Sequence, residues 1–115
     1  MDFKTDRPIY RQITDYAFGC ILGGTWRPGE KVPSVRELAV ELAVNSHTVL
    51  KAYDQLQSRE IIVARRGMGF FLAENAPESV MAVLREEFFE STVPALSEQM
   101  RRLGISAEEL VAALK

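Results

Sequence analysis

The fold of this chain is decided by residues 34–57, which read SVRELAVELAVNSHTVLKAYDQLQ. Ser34, followed three residues later by Glu37, forms a capping box, so a helix is predicted to begin there. Apolar residues then recur on one helical face as far as Leu42, and residues 43–45 break the pattern. Asn45 is a favourable N-cap that predicts a second helix, whose apolar face consists of Val49, Ala52, Tyr53 and Leu56. The exposed face of the second helix begins with short polar side chains, which suits a DNA major groove. We therefore interpret the stretch as a helix-turn-helix with residues 45–57 as its recognition helix.

The composition is typical of a globular chain. Of the 115 residues, 47% are apolar and 26% are charged, so a packed core is expected. No apolar run approaches the roughly 18–20 residues of a membrane span, and no signal-peptide pattern is visible at the N-terminus. A single cysteine cannot form an internal disulfide, and we therefore expect a cytoplasmic protein without membrane association.

The charge is unevenly distributed along the chain, although the net charge is only −2. Residues 1–75 carry ten Lys and Arg against nine Asp and Glu, whereas residues 76–115 carry four against seven. A basic surface must therefore come from the local placement of side chains, and we expect the acidic part to face away from DNA.

A first helix of about four turns is predicted from Pro8 to about Gly23, because apolar residues recur there at helical spacing. Cys20 lies on its apolar stripe, and we interpret it as a small core residue. Trp26 is likewise expected in the core. Residues 30–32 are predicted to be a short extended segment that leads into the capping box.

A β-hairpin is predicted directly after the recognition helix. Residues 61–64 are rich in β-branched side chains, residues 70–72 are aromatic and apolar, and the loop 65–69 between them contains two glycines. A hairpin in this position is the wing of a winged helix. Its Arg65 and Arg66 suit contact with phosphate or with the minor groove.

The composition shifts at residue 76, where Pro77 marks the start of another helix. Apolar residues recur three to five positions apart and stay in register across Pro94. We interpret the pattern as one long helix, 77–103, kinked near Pro94, although the sequence does not distinguish a kink from a break. Gly104 and the capping pattern that begins at Ser106 predict a last short helix.

The predicted fold class is mainly α with a small β-hairpin, an α+β arrangement. Residues 1–75 are expected to form a winged helix-turn-helix and residues 76–115 a helical dimerisation region. The long helix is too apolar for so small a domain to cover, so dimerisation is expected. Of the adjacent Phe88 and Phe89, one is expected to pack on the domain and the other to meet a partner. The predicted interface residues are Val80, Leu84, Phe88, Phe89, Leu96, Met100, Leu110 and Leu114.

With the wing in place, residues 8–73 resemble the DNA-binding domain of GntR-family bacterial transcription regulators. The motif begins with PGEKVPSVRELA over 28–39 and ends with RRGMG over 65–69. Between these two segments, the motif continues through Val44-Asn45, Thr48-Val49, Ala52-Tyr53 and Leu56. The two-helix tail, with RLGIS over 102–106, resembles the YtrA-type subfamily.

This resemblance implies a homodimeric repressor whose winged helices read a palindromic operator in double-stranded DNA. The residues at the DNA-contacting positions of the family are Arg36, Asn45, Ser46, His47, Thr48, Lys51, Arg65, Arg66 and Gly67. The sequence departs from the family at Ser46 and Leu50, where many members have arginine, and at Ala43, where glycine is common. If this last position needs a positive φ, alanine costs about 1 kcal/mol.

Several of these residues also have a simpler interpretation. His47 could be a solvated side chain, Lys51 a solvated charge, and the wing arginines part of a solvated loop. Arg36 could pair with Glu37 or Glu41 instead of a phosphate. A winged helix that binds protein is therefore a second hypothesis, in which the cations would scatter over the surface instead of converging on one face.

No catalytic, metal or cofactor site is predicted, because the chain has one His, one Cys and no phosphate-binding loop. A small-molecule effector of unspecified identity is left open. We expect such a ligand at the dimer interface or between the two parts of the chain.

Overall fold

The structure is a computed structural model that describes residues 7–114, so residues 1–6 of the predicted first domain and residue 115 lie outside the described part. The elements in chain order are α1 (Ile9–Leu22), α2 (Val35–Leu42), α3 (Ser46–Ser58), β1 (Ile62–Arg65), β2 (Gly69–Leu72), α4 (Ala76–Glu87), a π-helical segment (Phe88–Thr92), α5 (Val93–Leu103) and α6 (Ala107–Ala113). The predicted fold class, mainly α with one β-hairpin, is confirmed. None of the described helices is long and apolar enough to cross a membrane.

The predicted capping box begins α2. The Glu37 N–H donates to the Ser34 hydroxyl at 3.0 Å, and the Ser34 N–H donates to the Glu37 carboxylate at 2.8 Å. The helix ends at Ala43, which has the left-handed φ of 56° and ψ of 48°. The Val44 N–H then donates to the Ala39 carbonyl at 3.0 Å, as in a Schellman motif. Ala43 therefore has the positive φ in which alanine is expected to be strained.

The hairpin pairs β1 with β2 in an antiparallel register that runs from Ile62 opposite Leu72 to Arg65 opposite Gly69. The extended segment predicted at 30–32 lies along the other edge of β2. The Val32 N–H donates to the Phe70 carbonyl at 3.0 Å, and the Leu72 N–H donates to the Glu30 carbonyl at 2.9 Å. These hydrogen bonds tie the residues that lead into α2 to the wing.

The core of the first part of the chain collects the apolar faces of α1, α2 and α3. Ile13, Leu38 and Val49 have no exposed surface. Cys20 and Trp26 are buried as predicted. Burial raises the pKa of the Cys20 thiol, because the low-dielectric surroundings disfavour the thiolate.

The described residues divide into two compact units between Met81 and Ala82. Ala76 and Val80 are completely buried, so the first turns of α4 contribute core residues to the first unit. The prediction of Val80 as a dimer-interface residue is therefore wrong, because its side chain has no surface left for a partner. The assignment of functions to residues 1–75 and 76–115 stays a prediction.

The C-terminal helical run continues from Ala76 to Leu103 without a break. Its irregularity is the π-helical segment just before Pro94, in which the Val93 N–H donates to the Phe88 carbonyl five residues back. Proline has no N–H and its ring crowds the preceding turn, and a widened turn relieves that crowding. Pro94 therefore distorts the helix and does not end it.

α5 ends at Gly104, whose φ of 68° is left-handed as a C′ glycine requires. The Glu109 N–H donates to the Ser106 hydroxyl at 3.1 Å and begins α6, so both predicted helix boundaries are confirmed. The π-helical segment, α5 and α6 contain no buried residue. This part of the described chain has no core of its own.

Candidate nucleic-acid interface

The N-terminal turn of α3 presents the polar side chains predicted to contact DNA. Asn45 caps the helix, with its side-chain oxygen accepting the His47 N–H at 2.7 Å. Ser46 and His47 are exposed and Thr48 is half-buried. The Asn45 oxygen is thus engaged in capping, and its NH₂ group keeps two donors for a ligand.

Tyr53 anchors the opposite face of α3. Its side chain is completely buried, and its hydroxyl donates to the Pro33 carbonyl at 2.6 Å. The ring meets Trp26 and Phe70 edge to face, with centroid distances of 6.4 Å and 5.3 Å. Burial raises the pKa of Tyr53, so the phenol stays a neutral donor. The sequence places Tyr53 on the apolar face but does not reveal that it joins α3 to the wing.

Arg36 lies exposed on α2 and forms no ion pair within residues 7–114. The two carboxylates considered as its partners are engaged elsewhere. Glu37 accepts the Ser34 N–H, which holds the pKa of its carboxyl below the usual range. Glu41 accepts the Tyr16 hydroxyl at 2.7 Å. The alternative interpretation of Arg36 as an intrahelical ion-pair partner therefore finds no support.

The tip of the wing is a short turn that exposes Arg66 and Met68. The Met68 N–H donates to the Arg65 carbonyl at 2.9 Å, and Gly67 closes the turn with a φ of 73°. A residue with a Cβ is strained in that conformation, which explains the glycine at the tip of the wing. Both wing arginines are exposed and, in the described part, neither is paired with a carboxylate.

Lys31 adds a cation to the wing that the sequence did not place there. Lys31 forms an isolated β-bridge with Phe71, and a Cβ built on Gly69 would lie 3.0 Å from the Lys31 Cε atom. The aliphatic part of Lys31 therefore lies against Gly69 of β2, the residue that pairs with Arg65. The sequence gives only a weak indication of this position for Lys31. Successive side chains of an extended segment point to opposite faces, and Val32 is buried, so Lys31 points to the other face.

Two of the predicted DNA-binding cations lie on aromatic rings. The Lys51 Nζ atom is 4.2 Å from the centroid of the Tyr10 ring, and the Arg65 Cζ atom is 4.1 Å from the centroid of Phe71. Both distances are within the range of a cation–π interaction. One contact joins α1 to α3 and the other joins β2 to β1. Periodicity within a single element does not reveal such contacts.

The described residues provide no metal centre, and the cleft that they form has no assigned ligand. Within residues 7–114, no three His, Cys, Asp or Glu side chains are grouped to hold a metal ion. An open cleft of about 500 Å³ in the first unit has Tyr16, Glu37 and Glu41 in its wall. Both carboxylates are engaged within the protein, as described above, and we assign no ligand to the cleft.

The second unit exposes the apolar residues predicted to meet a partner. Phe88 and Phe89 are 49% and 60% exposed, and their rings pack edge to face with centroids 5.3 Å apart. The expectation that one of them packs on the winged helix-turn-helix domain stays a prediction. Leu96 and Leu114 are exposed as well. The remaining predicted interface residues, which are half-buried, are Leu84, Met100 and Leu110.

Comparison with known sequences places this arrangement among bacterial regulators. The family model described as "Bacterial regulatory proteins, gntR family" matches residues 9–72, from the first helix to the end of the wing. The HTH-type transcriptional repressor YtrA of Bacillus subtilis is 36% identical over 107 residues, which cover 93% of this chain and 76% of that protein.

Solved structures extend the similarity to the three-dimensional fold. A GntR-family transcriptional regulator from Listeria monocytogenes superposes with a TM-score of 0.77 at 37% identity, covering 96% of this chain and 95% of that one. The crystal structure of AraR(DBD) in complex with operator ORX1 covers 63% of this chain and 93% of that one, with a TM-score of 0.58 at 28% identity. The similarity includes a protein that was crystallised on its DNA.

Proposed function

This chain belongs to the GntR family of bacterial regulatory proteins and is a DNA-binding transcription regulator, and we propose that it represses transcription as a homodimer on a palindromic operator. In this proposal, the N-terminal turn of α3 enters the major groove. The wing contacts the flanking backbone. Occupancy of the promoter excludes polymerase, so no enzymatic step is needed.

The observation that carries the proposal is the way α3 is presented. Its inner face is fixed by Tyr53, while the turn at Ser46 and His47 is exposed and bears hydrogen-bonding groups. A rigid helix with polar side chains at its exposed N-terminal end is what base readout requires. The convergence of Arg36 and Lys51 with the wing arginines on one face stays a prediction.

The homodimer is supported by the second unit. Leu103, Val111 and Leu114 are 72%, 66% and 66% exposed, and the helices that carry them have no buried residue. Each large apolar side chain that becomes buried contributes roughly 1.5–3 kcal/mol, so association of two such surfaces is strongly favoured. A two-fold dimer would present two recognition helices, which matches the symmetry of a palindromic operator.

Repression is supported by the relative that carries the name of a transcriptional repressor and covers almost the whole chain. The proposal includes an effector only as an open element. A small molecule that shifts the dimer geometry would alter operator affinity, and its identity is not specified by any group in the described residues.

The test is fluorescence anisotropy with duplexes selected from a random library by the wild-type protein, compared with scrambled duplexes over a range of salt concentrations. We expect the selected duplex to bind far more tightly, with an affinity that falls steeply with salt. Arg66→Ala should lower affinity for all sequences and reduce the salt slope by about one unit. Arg27→Ala is the matched control, because it removes an arginine far from the wing tip. Arg27 lies two residues before Gly29, whose N–H donates to the Leu72 carbonyl at the opposite end of the hairpin.

His47→Ala tests base readout separately from backbone contact. We expect this variant to lose discrimination between selected and scrambled duplexes more than it loses overall affinity. If the wild-type protein selects no sequence, the repressor proposal is wrong, and a protein partner for the winged helix becomes the better hypothesis.

A further inference from the structure

We propose that Phe71 and Tyr10 are positioning residues for DNA binding, each holding one cation of the interface ready for the phosphate backbone. The inference rests on the proposed function and deepens it, because it concerns how the same surface is prepared for DNA. Neither ring is among the residues expected to touch DNA.

The contact between Phe71 and Arg65 fixes the guanidinium on the wing. The Arg65 Cζ atom lies 4.1 Å from the ring centroid, and Phe71 is held in β2 by its pairing with Val63. A guanidinium that stacks on a ring keeps its N–H donors in its own plane, where they stay available to phosphate oxygens. An unsupported arginine would have to be ordered when it binds, which weakens affinity.

The contact between Tyr10 and Lys51 does the same for the recognition helix. The Lys51 Nζ atom lies 4.2 Å from the ring centroid. Tyr10 belongs to the first turn of α1, so the ammonium group of α3 is held by a different element. An ammonium group above a ring still directs N–H donors away from the ring and towards an incoming phosphate.

An aromatic ring holds a cation and leaves its charge intact, whereas a carboxylate neutralises the charge of the cation with which it pairs. Within residues 7–114, neither Lys51 nor Arg65 forms an ion pair with Asp or Glu. Both therefore keep the full charge that displaces counterions from DNA. This distinction matters in a chain whose net charge is −2, because its 14 Lys and Arg are outnumbered by 16 Asp and Glu with which they could pair.

The experiment is a double-mutant cycle on the full chain, with a duplex of about 30 base pairs that the wild-type protein has selected, long enough for two half-sites one helical turn apart. Affinities are measured for the wild type, Phe71→Leu, Arg65→Ala and the double variant. We expect Phe71→Leu to weaken binding about two- to fivefold when Arg65 is present. No further loss is expected from Phe71→Leu when Arg65 is already alanine. Phe71→Tyr keeps a ring and should bind like the wild type.

The second cycle uses Tyr10→Leu and Lys51→Ala, with Tyr10→Phe as the ring-preserving control. It leaves the hairpin untouched, so it tests the inference even if Phe71→Leu unfolds the wing. A similar two- to fivefold loss is expected, again only when the lysine is present.

An equal loss in both backgrounds would show that the rings act through general stability, and would overturn the inference. Tighter binding after removal of a ring would also overturn it, because the ring would then compete with phosphate for the cation. Titration of the wild-type protein comes before any variant is compared. If the wild type selects no sequence, the proposed function fails, and the inference that rests on it fails as well.

Discussion

Replacement of Ala43 by glycine should stabilise the protein. Ala43 has a φ of 56° and a ψ of 48°, in the left-handed region. A residue with a Cβ costs about 1–2 kcal/mol there, and glycine is free of that cost. The greater freedom of glycine in the unfolded chain offsets about 0.5–1 kcal/mol of the gain. We therefore expect the free energy of unfolding to rise by about 0.5–1 kcal/mol, which corresponds to about 2–6 °C in Tm.

The assay is urea and thermal unfolding followed by circular dichroism, with the m-value as a check that the unfolded state is unchanged. Ala82→Gly is the matched control, because Ala82 is exposed within α4, where glycine should cost about 1 kcal/mol. The two substitutions should therefore change stability in opposite directions. If Ala43→Gly destabilised the protein as Ala82→Gly does, the conclusion that the turn between α2 and α3 is strained would be refuted.

Ser34→Ala should lower the free energy of unfolding by about 1 kcal/mol, because it removes the cap of α2. The hydrogen bonds from Ser34 lower the pKa of Glu37, so their stabilisation is present above the unfolded pKa and is lost as the pH falls through the folded pKa. Urea midpoints measured across acidic pH should therefore depend less on pH in Glu37→Gln, which removes the titrating carboxyl, and an unchanged dependence would contradict this role. Tyr53→Phe leaves the Pro33 carbonyl without its donor and should cost about 1–3 kcal/mol in urea unfolding, and a neutral effect would show that another donor replaces it. Phe89→Ser should weaken self-association in sedimentation equilibrium, and an unchanged dimer would place the interface elsewhere.

Local signals were sufficient to predict most of the first unit. The capping box at Ser34 and the cap at Asn45 fix where two helices begin, and both depend on side chains within three residues of the helix start. The apolar periodicity of α3 likewise identified its buried face. The glycines of the wing marked its turn, because Gly67 adopts a conformation that few other residues tolerate.

Features that depend on distant residues were not predicted. Lys51 meets Tyr10 because α1 packs against α3, and Lys31 reaches the wing because its segment pairs with β2. Neither pairing leaves a periodic trace in the sequence. Val80 followed the same apolar pattern as the later helix residues, but the pattern does not say whether a position is covered by its own chain or by a partner.

Backbone irregularities were also missed where the residue type gave no warning. Glu60 follows α3 with a φ of 58°, although glutamate rarely adopts that conformation. The Ile61 N–H donates to the Leu56 carbonyl at 2.9 Å, so a Schellman motif imposes the turn. The π-helical segment before Pro94 was expected only as a kink, since a proline predicts distortion but not how the preceding turn accommodates it.

The most direct test of the central claim is the stoichiometry and affinity of the wild-type protein on three duplexes: a selected palindrome, a single half-site and a scrambled sequence. Sedimentation and anisotropy at the same salt concentration would give both quantities. A homodimeric operator-binding regulator should place two protomers on the palindrome, bind the half-site much more weakly and show only salt-sensitive residual binding to the scrambled duplex. Equal affinity for all three duplexes, or one protomer on the palindrome, would contradict the proposed function.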